Sequence, residues 1–394
     1  MHNNAFTNLE RSIFRANPDY ELVSLETLPP EERKNLEFLT SDPSHYGILK
    51  PRSSGLTPKS ISKETAKLLN ILQQPNHLPN FVKETLHEQC NQLIAKFVLD
   101  GILEVLIGES FVCGVNAYEL LYGENQLSET VDSRIQQLSR HALQYAQFLE
   151  IDDVNQLTAR LYSYNRIPLS SEWMRIYPTT DAVFERLVAQ SGPNFKKMLD
   201  TNWTKISDGI NGGWLSWSLK QSGRIDRSAF NYKLYISPRP EPEVMCAAFQ
   251  ECTAVFTDLQ VRHFKVGKDA VGLLRPDKMV AYFTTFEECE ETARRLQQTL
   301  QGCPAQGTPF TAEFTKDGLL SWGMDPPHYT HRSGWQDTSS WRIWVSSRLA
   351  TALHVAKATS YSRIEPWRFA LQRLDLEGVD TDTWAPNKKI WQKL

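Results

Sequence analysis

Residues 262–283 read RHFKVGKDAVGLLRPDKMVAYF. Two runs in and around this stretch, VRHFKV at 261–266 and KMVAYFT at 278–284, alternate from one side chain to the next. Alternation of period two predicts strands. His263 and Lys265 then share one face of the first strand, with Arg262, Phe264 and Val266 on the other. Lys278, Val280 and Tyr282 share a face of the second, and Arg275 and Asp277 stand at its entrance. The cations Arg262, Lys265, Lys268, Arg275 and Lys278 meet only Asp269 and Asp277 here. Such a surplus fits either a solvated sheet edge or a pocket for a phosphate. Spacing alone leaves both open. If the two strands pair, Lys265, Tyr282 and the Arg275/Asp277 turn surround one small volume.

Outward from this stretch the same periods recur. YKLYIS (232–237) alternates as a strand, and Val244 to Leu259 reads as a helix after Pro240 and Pro242. Phe286 to Leu300 reads as an amphipathic helix. FTAEFT (310–315) and LLSWG (319–323) flank Lys316-Asp317-Gly318, a hairpin signal. DTSSWRIWVSSRLATALHVAKA (337–358) opens on capping residues and continues as a helix. Upstream, Leu86, Cys90, Leu93 and Phe97 lie on one helix face, and so do Val131, Ile135, Leu138, Ala142, Tyr145 and Leu149. Residues 202–225 are rich in Gly, Ser and Trp, which suggests a boundary. The expected architecture is α+β. A helical domain, residues 1–205, precedes a mixed α/β domain, residues 206–394, with a small and mainly antiparallel sheet.

Bulk properties narrow the function classes. The chain has 394 residues and a net charge of −3. A general nucleic-acid binder is usually more basic, so any anion site must be local. None of the six cysteines forms a Cys-x-x-Cys pair. A zinc site or disulfide framework is therefore not expected, and reduced thiols fit a cytoplasmic protein. The polar N-terminus has no apolar stretch of signal-peptide type, and Phe97 to Ile107 is too short and too charged to span a membrane. Gly-x-x-x-x-Gly-Lys-Ser/Thr, Gly-x-Gly-x-x-Gly, Gly-x-Ser-x-Gly and His-Glu-x-x-His are all missing. No metal or organic cofactor is expected.

Other candidates lie outside the opening stretch. Lys233, on the YKLYIS strand, is a further candidate to bind phosphate. Arg342 and Arg348 lie on the late helix. Six residues turn through about 600°, so they point to different faces and at most one enters a shared site. Asp325, before two prolines, either orients a basic side chain or only ends a strand. His328 and His331 are either surface histidines or a general acid. The segment SHYGILKPRSSGLTPKSISKE (44–64) carries Lys50, Arg52 and Lys59 and reads as a connection or as a docking loop for an anion or peptide.

The run YKLYIS, FKVG, LLRPDKMVAYF, FTAEFTKDGLLSWGMDPP and SWRIWVSSRLATAL resembles the Hop A-type type III effector family, which includes lyases of class V lanthipeptide and thioamitide biosynthesis. The resemblance covers roughly residues 225–358. The family pattern places a lysine at Lys265, Arg-x-Asp at Arg275 and Asp277, a tyrosine at Tyr282, an acidic-proline ending at Asp325 and Pro326, and an arginine at Arg348. Lanthipeptide-associated members often have a histidine and a second arginine before that last position, where this chain has Trp344 to Ser346. The general acid is thus left open among Tyr282, His263 and the 328–331 histidines.

The resemblance implies phosphate β-elimination. A partner kinase phosphorylates Ser or Thr in a precursor peptide, and the lyase leaves dehydroalanine or dehydrobutyrine. It implies no cofactor, and the helical half would dock the peptide or the kinase. The residues suit that chemistry. An α-proton is weakly acidic and needs a placed base. Cationic neighbours lower a lysine toward that role, so Lys265 is either the base or a phosphate ligand. Arg275, Lys278, Arg342, Arg348 and Lys233 would hold the phosphate, and Asp277 would be catalytic with Lys265, Tyr282 and His263. The alternatives are a module that binds a phosphopeptide without turnover, and an effector or scaffold protein.

Overall fold

The protein is described from a computed structural model. It covers residues 9–41, 43, 45–52, 58–86, 90–122, 132–189, 192–206, 213–222, 230–326, 340–358 and 364–387. The expected α+β class is what these residues form.

The first unit mixes short strands with helices. Its strands are β1 (Phe14–Ala16), β2 (Tyr20–Val23), β3 (Gly47–Pro51), β4 (Lys59–Ile61), β5 (Leu103–Ile107) and β6 (Ser110–Val112). They make two three-stranded sheets, β1-β5-β6 and β2-β3-β4, beside the helices that the sequence led us to expect. The helices are α1 (Pro30–Leu36), α2 (Lys63–Ile71), α3 (Asn80–Leu86), α4 (Cys90–Leu99), α5 (Tyr118–Tyr122), α6 (Arg134–Ala146) and α7 (Val154–Tyr162). Local chemistry sets their starts. Ser62, Ser133 and Asp153 each accept a backbone N–H of the first turn, which satisfies donors that a helix start leaves orphaned.

The second unit begins with α8 (Ser171–Ile176), α9 (Thr180–Ala189) and α10 (Gly192–Asn202). Its sheet has seven strands: β7 (Trp203–Ile206), β8 (Trp214–Leu219), β9 (Tyr232–Ile236), β10 (His263–Gly267), β11 (Met279–Phe283), β12 (Ala312–Glu313) and β13 (Leu320–Met324). The order is β12-β13-β9-β11-β10-β8-β7, and every pairing is antiparallel. The sheet is larger than expected, because the Trp- and Ser-rich stretch supplies β7 and β8. Between strands lie α11 (Pro242–Asp258), α12 (Ala270–Leu273) and α13 (Phe286–Thr299). Thr285 and Glu288 form a reciprocal capping box at the start of α13. Gly267 and Gly272 meet so closely that a Cβ on Gly267 would lie 2.3 Å from the Gly272 carbonyl carbon, so β10 can run directly into α12.

The chain then returns to the first unit through α14 (Trp341–Lys357), α15 (Pro366–Asp375) and the β14 (Val379–Asp380)/β15 (Ala385–Pro386) pair. Buried side chains of α14 include Trp341, Trp344, Val345, Leu349, Ala352 and Ala356, which point around the helix. A helix apolar on all sides belongs at the centre of a fold.

Two cores result. One joins residues from Leu9 to Leu161 with Phe310 and with residues from Trp341 to Trp384. The other joins Trp173 to Leu199 with the sheet and α11 and α13. The boundary expected at 205/206 does not separate them. Helices α8–α10 pack with the sheet that follows, and α14 and α15 pack with the helices at the start of the chain.

Candidate functional site

The two faces of the seven-stranded sheet differ in chemistry. In an antiparallel pair, opposed residues share a face. His263 opposes Tyr282 and Lys265 opposes Val280 across β10 and β11. On the other side of β10, Ser218 opposes His263, Ser216 opposes Lys265 and Trp214 opposes Gly267. Lys233 opposes Tyr282, and Tyr235 opposes Val280. One face thus carries Trp214, Ser216, Ser218, Lys233, Tyr235, His263, Lys265 and Tyr282. The opposite face places Trp217 and Phe264 in the apolar core under α11.

Lys265 is half-buried, framed by two aromatic rings. Its Nζ lies 4.1 Å from the Trp214 ring centroid and 5.3 Å from that of Tyr282. The Arg275 guanidinium reaches the same indole at 4.7 Å. Lys233 approaches the Tyr282 ring at 5.6 Å. His263 lies beneath: it is buried, its Nδ1 is 3.3 Å from Ser218 Oγ, and its ring packs against Phe230 and Tyr282.

Next to this group stands a buried charge cluster. Asp277 is gripped by Arg275 through Nε at 2.8 Å and Nη2 at 2.9 Å. Arg342, from the first turn of α14, places Nη1 2.9 Å from Asp277 Oδ2. The Tyr162 hydroxyl, at the end of α7, donates to Asp277 at 3.0 Å and accepts from Arg275 at 2.6 Å. Burial alone would raise the Asp277 pKa, but the Arg342 and Arg275 guanidiniums outweigh it and hold the carboxyl well below its ordinary value. Burial, then the Asp277 charge, pushes the Tyr162 hydroxyl up. Arg166 lies within range of these charges; burial and the neighbouring Arg275 lower its pKa.

A second carboxylate closes the far side. Lys233 Nζ is 2.6 Å from Asp325 Oδ1 and 2.5 Å from Oδ2. The same Asp325 accepts the Trp341 backbone N–H at 3.0 Å, at the positive end of α14. Asp325 therefore orients a basic side chain and also anchors a helix. Gly323 lets Trp341 lie on the sheet: a Cβ there would sit 2.4 Å from Trp341 Cδ1. Tyr235, buried between the two carboxylate clusters, has its pKa pushed well above the ordinary value, first by burial and then by Asp325.

The face gathers Lys265, Tyr282, His263, Lys233, Arg275 and Asp277. Lys278 is a correction to the expectation. It is fully buried, and its ammonium donates to the Pro238 carbonyl at 2.8 Å and to Gln306 Oε1. It is sealed away from any phosphate. Arg342 is likewise buried: it forms an ion pair with Asp277 and donates to the carbonyls of Pro309 and Tyr162. It is a strut for Asp277 and not a phosphate ligand. Arg348 points elsewhere, to a cavity with Lys59, Lys96 and Arg373. His328, His331 and residues 337–339 lie outside the described residues. Among the described residues, no three of His, Cys, Asp and Glu come together as a metal-holding group, and no helix is long and apolar enough to cross a membrane.

Sequence reasoning missed Trp214, Tyr162 and Arg166. The alternation Trp214, Ser216, Ser218 was a usable strand signal. Tyr162 carried none, being 115 residues from Asp277.

No family model matches the chain, and no curated protein does. Solved structures include weak neighbours. An effector protein from Pseudomonas syringae pv. syringae strain 61 aligns at 12% identity over 65% of this chain and 99% of that chain, with a TM-score of 0.37. One from Pseudomonas syringae pv. tomato strain DC3000 aligns at 16% identity over 64% and 98%, with a TM-score of 0.36. At this level the likeness carries no argument, and the reading of the site rests on its own residues.

Proposed function

We propose that the protein is a phosphoserine/phosphothreonine lyase. It would eliminate phosphate from a precursor peptide phosphorylated by a partner kinase and leave a dehydroamino acid. The observation that carries this reading is the half-buried Lys265, framed by Trp214 and Tyr282 and flanked by Arg275 on a polar sheet face. Among the described residues, Lys265, Lys233, Arg166 and Arg275 gather there beside Asp277 and Asp325. A surplus of cations suits a dianionic phosphate.

In the proposed reaction Lys265, in its neutral form, takes the α-proton of the phosphorylated residue. The electron pair forms the Cα–Cβ double bond. The Cβ–O bond breaks, and phosphate leaves with its electrons toward Arg275, whose fork matches its oxygens. Tyr282 would give the leaving group its proton. His263, buried under Phe230, packs against the Tyr282 ring.

A second reading has its own observation. An ammonium 4.1 Å from an indole centroid is stabilised in its charged form. That favours Lys265 as a ligand of the phosphate, in a module that binds without turnover. One experiment separates the two. A phosphothreonine peptide is incubated with the protein and followed by mass spectrometry. Loss of the mass of phosphoric acid supports the lyase, and retained binding with no such loss supports the binding module.

A further inference from the structure

Two aromatic rings of the polar sheet face each meet two cations. The Trp214 indole takes Lys265 Nζ at 4.1 Å and the Arg275 guanidinium at 4.7 Å from its centroid. The Tyr282 ring takes Lys265 at 5.3 Å and Lys233 at 5.6 Å. Cation and ring therefore alternate from Arg275 through Trp214, Lys265 and Tyr282 to Lys233. Like charges repel at such range, and the negative face of a ring offsets that repulsion. Sheet geometry explains why Trp214 is the ring that reaches both Lys265 and Arg275. Lys265 opposes Ser216 across β10 and β8, so Trp214, two residues before Ser216, is its diagonal neighbour on the same face. Trp214 itself opposes Gly267, which has no side chain to obstruct the indole. The same glycine packs on Gly272 and lets α12 follow β10 directly, which returns Arg275 to the neighbourhood of the strand.

We propose that Trp214 is the positioning residue of this face: its indole sets where Lys265 and Arg275 stand relative to each other, so that one phosphorylated side chain can meet both. The inference rests on the reading of the face as a phosphopeptide site, with or without turnover. A lysine ammonium sits on a flexible four-carbon stem and samples many positions unless its surroundings fix it. Asp277 fixes Arg275 along one edge of the guanidinium, through Nε at 2.8 Å and Nη2 at 2.9 Å. The indole supplies a second reference for Arg275, and it is one that Lys265 shares. In this role Trp214 acts through the two cations and touches neither the transferred proton nor the phosphate. An indole attracts a cation most strongly among the aromatic side chains, a phenyl ring less, and an aliphatic side chain has no ring face to offer.

The test uses the full chain, labelled with 5-fluorotryptophan for fluorine NMR and titrated calorimetrically with a phosphothreonine peptide. The Trp214 resonance is the one absent from Trp214→Phe. Lys265→Met should move that resonance in the ligand-free protein, because it takes an ammonium away from the indole. Trp214→Leu should weaken phosphopeptide affinity at least tenfold, and Trp214→Phe should restore it to within about threefold of the wild type, since the phenyl ring keeps the attraction that leucine lacks. A residue that only filled space would show no such rescue, and leucine would serve as well as phenylalanine. The fluorine measurement decides the contact even where the leucine variant folds poorly. The proposal is overturned if Lys265→Met leaves the resonance in place, if Trp214→Leu binds as the wild type does, or if phenylalanine fails as badly as leucine. Where the wild type binds the phosphopeptide and one of these results appears, this inference alone falls. Where the wild type binds no phosphopeptide, the reading of the face falls and this inference falls with it.

Discussion

Arg342 reaches from the first turn of α14 to Asp277 at the entrance of β11, with Nη1 2.9 Å from Oδ2. Both side chains are almost wholly buried, at 1% and 5% exposure. Removing one partner of such a pair strands the other charge in the interior, which typically costs about 3–5 kcal/mol. Arg342→Ala and Asp277→Ala should each lower stability by about that amount in denaturant titrations. The double variant should cost less than the sum, because the two residues share one interaction.

The depressed Asp277 pKa sets the pH window of that contribution. Its folded pKa lies below the unfolded value of about 3.9, so the stabilisation is fully present above that value and is lost as pH falls through the folded pKa. The stability gap between wild type and Asp277→Asn should stay flat from neutral pH down to about 5 and narrow only below about 4. Thermal melts across that range check it.

Lys278 makes stability rise with pH as well, in a higher window. Burial lowers its pKa to about 7. Between that value and the unfolded value of about 10.4 the unfolded chain holds more protons, so this group makes stability rise with pH. Lys278→Met removes that dependence but leaves Gln306 Oε1 without its donor. The variant should therefore be more destabilising at pH 9 than at pH 6, as melting temperatures at the two values would report.

Lys265→Ala should reduce peptide dephosphorylation by about 10²–10⁴-fold if Lys265 is the general base. Lys265→Arg keeps the charge, and the two variants together separate proton transfer from phosphate holding. Arginine should restore binding but not turnover. Turnover rates and titrations of the same phosphopeptide provide the two readings.

Gly323→Ala would set a Cβ against the buried Trp341 indole. Overpacking of this kind costs about 1–3 kcal/mol. It should also shift the start of α14, and with it the Asp325 and Arg342 contacts. Reduced stability and a weakened phosphopeptide affinity are expected together.

The sheet was legible because its strands alternate. His263 and Lys265 share a face simply because side chains repeat every second residue, and Tyr282 joins them once the two strands pair. The fates of Lys278 and Arg342 were not legible. Each is decided by carbonyls and side chains distant in the chain, such as Gln306 and Tyr162, and no local period reports those. The short strands of the first unit, three to five residues each, leave too few repeats for alternation to show among helices. The change of composition at 202–225 marked a change of local structure, strands after helices, and not a division between cores.

The interleaving of the two cores has a practical meaning. The middle of the chain, residues 173–322, is enclosed by a unit whose parts come from before and after it. A cut at 205 would strip α14 and α15 from the helices they pack against and would separate Tyr162 from Asp277. Neither fragment would be a fair stand-in for a domain. The smallest honest truncation would excise the middle as an insert and rejoin the flanks, as one lifts a cassette from its housing.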